Sequence, residues 1–306
     1  MGARTTVGLC GLGNMGLAVA QRLATAYDVT AFDLSAERKE LAGKVENVTT
    51  VDALNALESV DVVVLSLPTP NISLDVCGQL AGILPQGALV VETSTTTPRH
   101  LAECSRVLAG AGMSIIDAAI LSGVGQMESG EATLLVGGAG ADLGRADGLL
   151  HVLGAKVEQF GALGTGMAAK VVNNAVAHAV MVVLVEAVAL AAASGIDLEK
   201  IGDMLRAPDG GLIRPLTHRI EERVATANYE GGMPLAAARK DSTLALEMAQ
   251  ANGIPLFAIQ SAHSVYEIAL SQGLGRLDYA ALATLWEGWS GTSLAYRKPS
   301  EPSAGS

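Results

Sequence analysis

Aromatic residues make up only 3% of this 306-residue chain, cysteine occurs three times, and basic side chains are outnumbered 20 to 31 by acidic ones. A net charge of −11 excludes a protein that tracks nucleic-acid phosphates with a basic face. Cys10, Cys77 and Cys104 are odd in number and far apart, with no CxxC pair or Cys/His cluster beside them. Neither a disulfide framework nor a zinc site, nor any other metal centre, is therefore expected, and the three thiols read as buried and free. No long apolar stretch with a cleavage site precedes the first strand-like segment, so no signal peptide is expected. The glycosylation-like triplets at Asn47 and Asn71 then carry no weight. A fixed repeat is absent, which removes collagen and coiled-coil rods, and no Gly-x-Ser-x-Gly turn supports a serine hydrolase.

What is present is a chain that is 50% hydrophobic, with 35 glycines and room for two domains at roughly 100–200 residues each. In the first half, short apolar runs at Thr5–Cys10, Val29–Phe32, Val62–Leu67, Leu89–Glu92 and Ser114–Asp117 read as strands. Helical segments alternate with them at Met15–Thr25, Ala36–Leu41, Asp52–Leu57, Ile72–Leu80 and Pro98–Ala109. This alternation predicts a Rossmann-type, doubly wound parallel sheet over residues 1–163. From Gly164 the pattern turns helical, at Met167–Ala193, Leu198–Arg206, after Pro215, and at Leu235–Ala251, Leu256–Gln272 and Tyr279–Trp289. An all-α domain is expected over 164–296, and a polar, disordered tail over 297–306.

Ala175–Ala193 has nearly the length and apolarity of a membrane span, yet it contains His178 and Glu186. Ionisable groups are costly in a bilayer. A helix of a soluble, cytoplasmic protein, buried on nearly every side between domains or subunits, accounts for the same residues more simply.

Gly11-Leu12-Gly13-Asn14-Met15-Gly16 follows the first strand and opens a helix. Gly11 suits the tight turn, Gly13 a close approach to a pyrophosphate, and Gly16 close helix–strand packing, which together indicate a dinucleotide. Asp33 ends the second strand, where a carboxylate accepts both ribose hydroxyls and repels a 2′-phosphate. Arg38 stands five residues further on, so NAD is expected over NADP, with NADP still possible; Asp33 could equally cap the next helix.

Lys170, Asn174 and His178 recur every four residues, forming one polar seam, with Asn173 beside it, on an otherwise apolar helix. Burial and a cationic nicotinamide would both lower the pKa of such a lysine toward acid/base work at neutral pH. A snorkelling lysine at a helix start explains the same seam.

With these blocks in hand, residues 5–290 resemble the β-hydroxyacid dehydrogenase family, which includes 3-hydroxyisobutyrate dehydrogenase and tartronate semialdehyde reductase. Gly11–Gly16 is similar to its cofactor motif. Asp117–Gly125, with Gly130 and Val136–Gly138, is similar to its substrate loop, Gly164–Asn174 to its catalytic helix, and Lys240-Asp241 to a later cofactor-side pair. The resemblance implies that Lys170 is the acid/base and that Asn174 binds substrate. It places Leu67, Pro68, Thr93, Ser94 and Lys240 at the cofactor, with Asp241 in support, and implies a homodimer or homotetramer. One block departs. Where the family commonly reads Asp-Ala-Pro-Val-Ser-Gly-Gly, this chain has Ala119 for the proline, Leu121 for the serine and Ser122 for the first glycine. Either Ser122 and the Gly123 backbone grip the substrate, or its acid group is held differently. Arg214 is a second anion clamp or a solvated arginine.

The expected activity is hydride transfer between NAD(P) and a small 3-hydroxy acid or its semialdehyde, without metal. An imine reductase on the same fold and a non-catalytic dinucleotide-binding module are the alternatives. Imine reductases of this architecture tend to place Asp or Tyr at the Lys170 position.

Overall fold

A computed structural model describes residues 4–297. Apart from Arg297, the tail expected to be disordered lies outside the described residues. The chain divides into two compact units, Met1–Ala175 and one from Val176 onward. The division falls beyond the boundary between residues 163 and 164 read from the sequence, within one long helix.

The first unit is built on an eight-stranded sheet in the order β3-β2-β1-β4-β5-β6-β7-β8. These strands are β1 (Thr6–Cys10), β2 (Asp28–Phe32), β3 (Val48–Val51), β4 (Val62–Leu65), β5 (Leu89–Glu92), β6 (Ser114–Ile120), β7 (Ala132–Gly137) and β8 (Gly154–Gly161). Strands β1 to β6 run parallel, and the reversal of order beside β1 is the doubly wound topology expected. Strand β7 pairs antiparallel with β6, and β8 pairs parallel with β7. The sheet is therefore mixed at this edge, where the sequence reading has no strands.

Helices α1 (Asn14–Leu23), α2 (Ala36–Ala42), α3 (Pro70–Leu80), α4 (Pro98–Gly110), α5 (Val124–Ser129) and α6 (Gly140–Leu153) accompany the sheet. The segment expected as a helix at Asp52–Leu57 is only a 3-10 turn, Leu54–Leu57. Two apolar clusters form the core, and successive residues of β4 divide between them: Val64 joins Leu9, Val19 and Leu153, whereas Val63 and Leu65 join Leu80, Leu101 and Leu108. That alternation is why the strands read as continuous apolar runs.

The starts of α3 and α4 use one device twice. Thr69 and Thr97 are N-caps whose hydroxyls accept from the Ile72 and His100 amides, and Pro70 and Pro98 take the first helical position.

The 29-residue helix α7 (Thr165–Ala193) runs across the division. After it come α8 (Leu198–Arg206), α9 (Leu235–Ala251), α10 (Phe257–Ser271) and α11 (Ala283–Ser290), with a π-helical turn at Pro215–Ile220. Among the described residues the second unit has no strand, only an isolated bridge between Pro234 and Asp278. Two buried carboxylates organise it. Glu186 accepts from the Ala258 and Ile259 amides at 2.8 and 3.0 Å and ties α7 to the start of α10. Asp278 accepts from Met233 and Ala280 and pairs with Arg219 at 3.2 Å and Arg223 at 3.5 Å. Such charges are tolerated inside only when paired and hydrogen-bonded. The expectation that α7 is buried on nearly every side does not hold within this chain: Val172, Val176, Met181 and Val185 are 55–63% exposed.

Candidate functional site

The glycine-rich turn opens a cavity of about 670 Å³ at the carboxyl ends of β1, β2 and β4. Gly11 has φ +99°, and a Cβ there would meet the Ser66 carbonyl oxygen at 2.2 Å. At Gly16 a Cβ would lie 2.1 Å from the Gly11 carbonyl oxygen, so this glycine lets α1 close onto the turn. Gly13 differs: a Cβ would meet nothing within 4 Å, and its backbone faces the open cavity. It is also the N-cap of α1 and supplies no side-chain cap, unlike Thr69 and Thr97. The first amides of a ten-residue helix are thus left for an anion, which is what a pyrophosphate requires.

Asp33 lines the same cavity at the end of β2. Its Oδ2 accepts from the Leu12 amide and its Oδ1 from the Ser35 amide, both at 2.7 Å, so one carboxylate fastens the glycine turn to the β2 end. The cap of α2 is Ser35, not Asp33. The cap alternative therefore fails, while the second lone pair of each Asp33 oxygen stays available to ribose hydroxyls.

Gly11 through Gly16 line the cavity except for Leu12, whose side chain is buried and whose amide is committed to Asp33. Leu67 and Pro68 line it from the β4–α3 loop. Thr93 and Ser94 do not. Thr93 is buried and donates to the Leu65 carbonyl at 2.6 Å, and Ser94 accepts from the Leu67 amide at 2.7 Å. They hold the loop that lines the cavity. Asp75 and Gln79 on α3 also line it and went unread in the sequence, because their helix spacing matches any solvated face; Arg38 reaches it from α2.

Lys170 lies six residues into α7, and its Nζ donates to the Ile120 carbonyl oxygen, at the end of β6, at 2.6 Å. Burial lowers its pKa below the ordinary lysine value. Asp117, three residues before Ile120, is fully buried and accepts from the Gly164 amide at 2.6 Å and the Met167 amide at 2.7 Å. Burial raises its pKa, and these amides oppose that rise. Strand β6 therefore grips both the start of α7 and the lysine one turn in. Gly166 allows the helix to seat, since a Cβ there would meet the Leu135 carbonyl oxygen at 2.3 Å. Asn174 follows one turn later on α7, half-buried, and His178 is exposed.

The loop after β6 is tied to itself. The Ser122 hydroxyl donates to the Leu121 carbonyl at 2.6 Å and accepts from the Thr133 amide at 3.0 Å. The Gly123 amide, expected to be free for substrate, donates to Gln126 Oε1 at 3.1 Å. Gln126 is thus a further residue of this loop; its position three after a helix cap was the available signal. In the second unit, Lys240 on α9 is exposed and pairs with Asp241 at 3.2 Å, and Arg214 pairs with Asp209 instead of standing free as an anion clamp. Among the described residues no cluster of metal-ligating side chains occurs.

Similarity to known proteins follows the same division of labour. A family model described as the NAD binding domain of 6-phosphogluconate dehydrogenase matches residues 6–164, and one described as NAD-binding of NADP-dependent 3-hydroxyisobutyrate dehydrogenase matches residues 164–286. The mitochondrial 3-hydroxyisobutyrate dehydrogenase of Rattus norvegicus is 29% identical over 92% of this chain and 87% of its own. The NAD-dependent L-serine dehydrogenase of Pseudomonas aeruginosa is 30% identical over 92% of this chain and 97% of its own. An imine reductase from Myxococcus stipitatus, a V8 variant with NAD+, superimposes with TM-score 0.83 at 21% identity over 92% of this chain and 99% of its own, a likeness of fold alone. With a glycine turn built for a dinucleotide, a lysine fixed against the end of β6, and matches that run almost end to end, the chain belongs to the β-hydroxyacid dehydrogenase family of NAD(P)-dependent oxidoreductases.

Proposed function

We propose that the protein oxidises a small 3-hydroxy acid, or reduces the corresponding semialdehyde, with Lys170 as the general acid/base. The observation that carries this reading is the anchoring of Lys170. A lysine held by the Ile120 carbonyl at 2.6 Å, with its pKa lowered by burial, is poised to take the hydroxyl proton in oxidation or return it in reduction. A bound nicotinamide would supply the hydride acceptor in oxidation and the hydride donor in reduction. The residues of the chain orient the reactants: Asn174, one turn along the same helix face, holds the substrate oxygen, and the Ser122–Gly123 loop holds the acid end once Gln126 releases the Gly123 amide.

The preferred cofactor is NAD. Asp33 supports this, because a carboxylate lining the cavity at the β2 end repels a 2′-phosphate. We take the enzyme to act in the cytoplasm, where its three free, buried thiols stay reduced, and to work as a homodimer or homotetramer.

The decisive experiment follows absorbance at 340 nm with NAD and NADP against 3-hydroxyisobutyrate, glycerate, threonate, 3-hydroxypropionate, serine and bulkier aryl analogues, with semialdehydes and cyclic imines in reverse. Turnover of one hydroxy acid, with kcat/KM higher for NAD than for NADP, is the expected result. Turnover confined to imines replaces the reading with the imine reductase alternative. Higher kcat/KM with NADP assigns the ribose to Arg38 over Asp33.

A further inference from the structure

One transverse row crosses four adjacent strands: Cys10 on β1 is in register with Leu65 on β4, Leu65 with Glu92 on β5, and Glu92 with Asp117 on β6. One end of this row, Cys10, lines the dinucleotide cavity. The other end, Asp117, fixes the helix that carries Lys170. Glu92 stands between them, with no exposed surface at all. Its Oε1 accepts from the Ser94 amide at 2.8 Å, and the Ser94 hydroxyl in turn accepts from the amide of Leu67, which lines the cavity. Its Oε2 faces the buried hydroxyl of Ser73 on α3, and among the described residues no cation meets it.

A buried carboxylate normally has a cation or a full set of donors. Glu92 has no cation. The titratable groups facing it are Cys10 from β1, Cys77 from α3, Cys104 from α4 and Asp117 from β6, and not one of them is a cation. Burial pushes its pKa up to about 7 against the hydrogen bonds from Ser94 and Ser73, with a smaller upward push from Asp117. In a doubly wound sheet the ligand lies across the carboxyl ends at the switch point. With the adenosine ribose at Asp33 on β2, the nicotinamide half extends over β4 and β5. On that path Glu92, buried behind Ser94 at the end of β5, is a carboxylate toward the ring that is cationic when oxidised and neutral when reduced.

We propose that Glu92 is a positioning residue for the nicotinamide half of the cofactor: through Ser94 it holds the Leu67 rim of the cavity, and as a carboxylate it favours the oxidised, cationic dinucleotide over the reduced one. Neither the amides of the glycine turn nor Asp33 can make that distinction, because they meet parts of the dinucleotide that do not change on reduction. The inference rests on the dinucleotide reading and on no particular substrate, so it can be tested by binding alone.

Calorimetric titration of the full chain with NAD+ and with NADH from pH 5.5 to 8.5 tests it. NAD+ affinity is expected to rise about three- to tenfold through neutral pH while NADH affinity stays nearly flat. Glu92→Gln removes the rise and brings the two affinities closer at pH 8. Lys170→Ala keeps the rise, which separates Glu92 from the other group whose charge acts on the ring. Parallel pH profiles for the two nucleotides overturn the inference without any variant, and so does a rise that survives in Glu92→Gln. A purely structural Glu92 would weaken both nucleotides alike when replaced, which also overturns it. Absence of saturable binding by NAD+, NADH, NADP+ and NADPH removes the dinucleotide reading itself.

Discussion

A lysine among alanines, valines and methionines is ambiguous until its partners are known. Among the described residues Lys170 has one hydrogen-bond partner, the Ile120 carbonyl, and no carboxylate in contact to hold its proton. Desolvation thus acts without opposition, and its pKa falls below the ordinary lysine value. The sign of the expected pH dependence follows. Oxidation needs the neutral amine, so kcat in that direction rises with pH and reaches its plateau below the pH at which an ordinary lysine would. Lys170→Ala should lower kcat by about 10²- to 10⁴-fold, the usual worth of a positioned acid/base group. NAD affinity, measured calorimetrically, should stay within about twofold, because the glycine turn and Asp33 are untouched; retained kcat would remove Lys170 from the chemistry. At this scale much was legible in the sequence. Gly11, Gly13 and Gly16 are residue types that few other demands would place at those points, whereas Asp33 and Lys170 each had a second reading, as a helix cap and as a snorkelling lysine. Glu92 and Gln126 were not legible as site residues, because an acid at a strand end and a glutamine in a short helix have many structural uses.

At the scale of elements, the lysine depends on how β6 and α7 are joined. Asp117 receives two amides from the first turn of α7, and Gly166 lets that turn sit on β7. Asp117→Ala leaves the Gly164 and Met167 amides buried without an acceptor, at a cost of about 2–4 kcal/mol. Thermal unfolding should come several degrees lower, and kcat should fall with it because the register of Lys170 against Ile120 loosens. Asp117→Asn, which keeps one acceptor oxygen, should lie between. An Asp117→Ala protein with unchanged melting temperature and kcat would show that α7 is held by its packing alone.

The elements that the sequence concealed have physical reasons. Strand β8 has Lys156, Glu158 and Gln159 along an exposed sheet edge, where charge protects against edge pairing and hides the apolar pattern. Helix α6 contains Gly140, Gly144 and Gly148, which lower its intrinsic helix propensity and leave tertiary packing of Leu143, Leu149 and Leu153 to decide. Strand β7 is a clear apolar run, but it follows the substrate loop so closely that Val136–Gly138 read as part of the loop. By contrast, β1, β5, α4 and α9 were visible almost to the residue, because each has both a period and a capping or breaking signal at its ends.

The whole molecule poses the question of α7. It is 29 residues long, roughly 43 Å at 1.5 Å per residue, and Val176, Met181 and Val185 are 55–59% exposed on it. Beside it, Met181, Val182, Val185 and Phe257 line an apolar groove of about 410 Å³, with Phe257 at the start of α10 74% exposed. Soluble monomers rarely leave more than a few hundred Å² of contiguous apolar surface open. By length and composition alone the helix could cross a membrane. Two features favour a second copy of the chain as the cover instead. The polar seam through Asn174 and His178 continues along the same helix, and Glu186 is committed to the Ala258 and Ile259 amides, so α7 is built into a helical unit on one side. A partner contributing a stable interface, about 800 Å² from each copy, would close the groove. Light scattering after size exclusion should then give a multiple of the 31.2 kDa chain mass. Met181→Glu with Val185→Glu should give the single-chain mass, because two charges desolvated in a symmetric interface cannot be paired. The variant should still bind NAD, since the glycine turn lies wholly in the first unit. A wild-type protein that runs at the single-chain mass without detergent would refute the assembly, and one that stays soluble only in detergent would return α7 to the membrane.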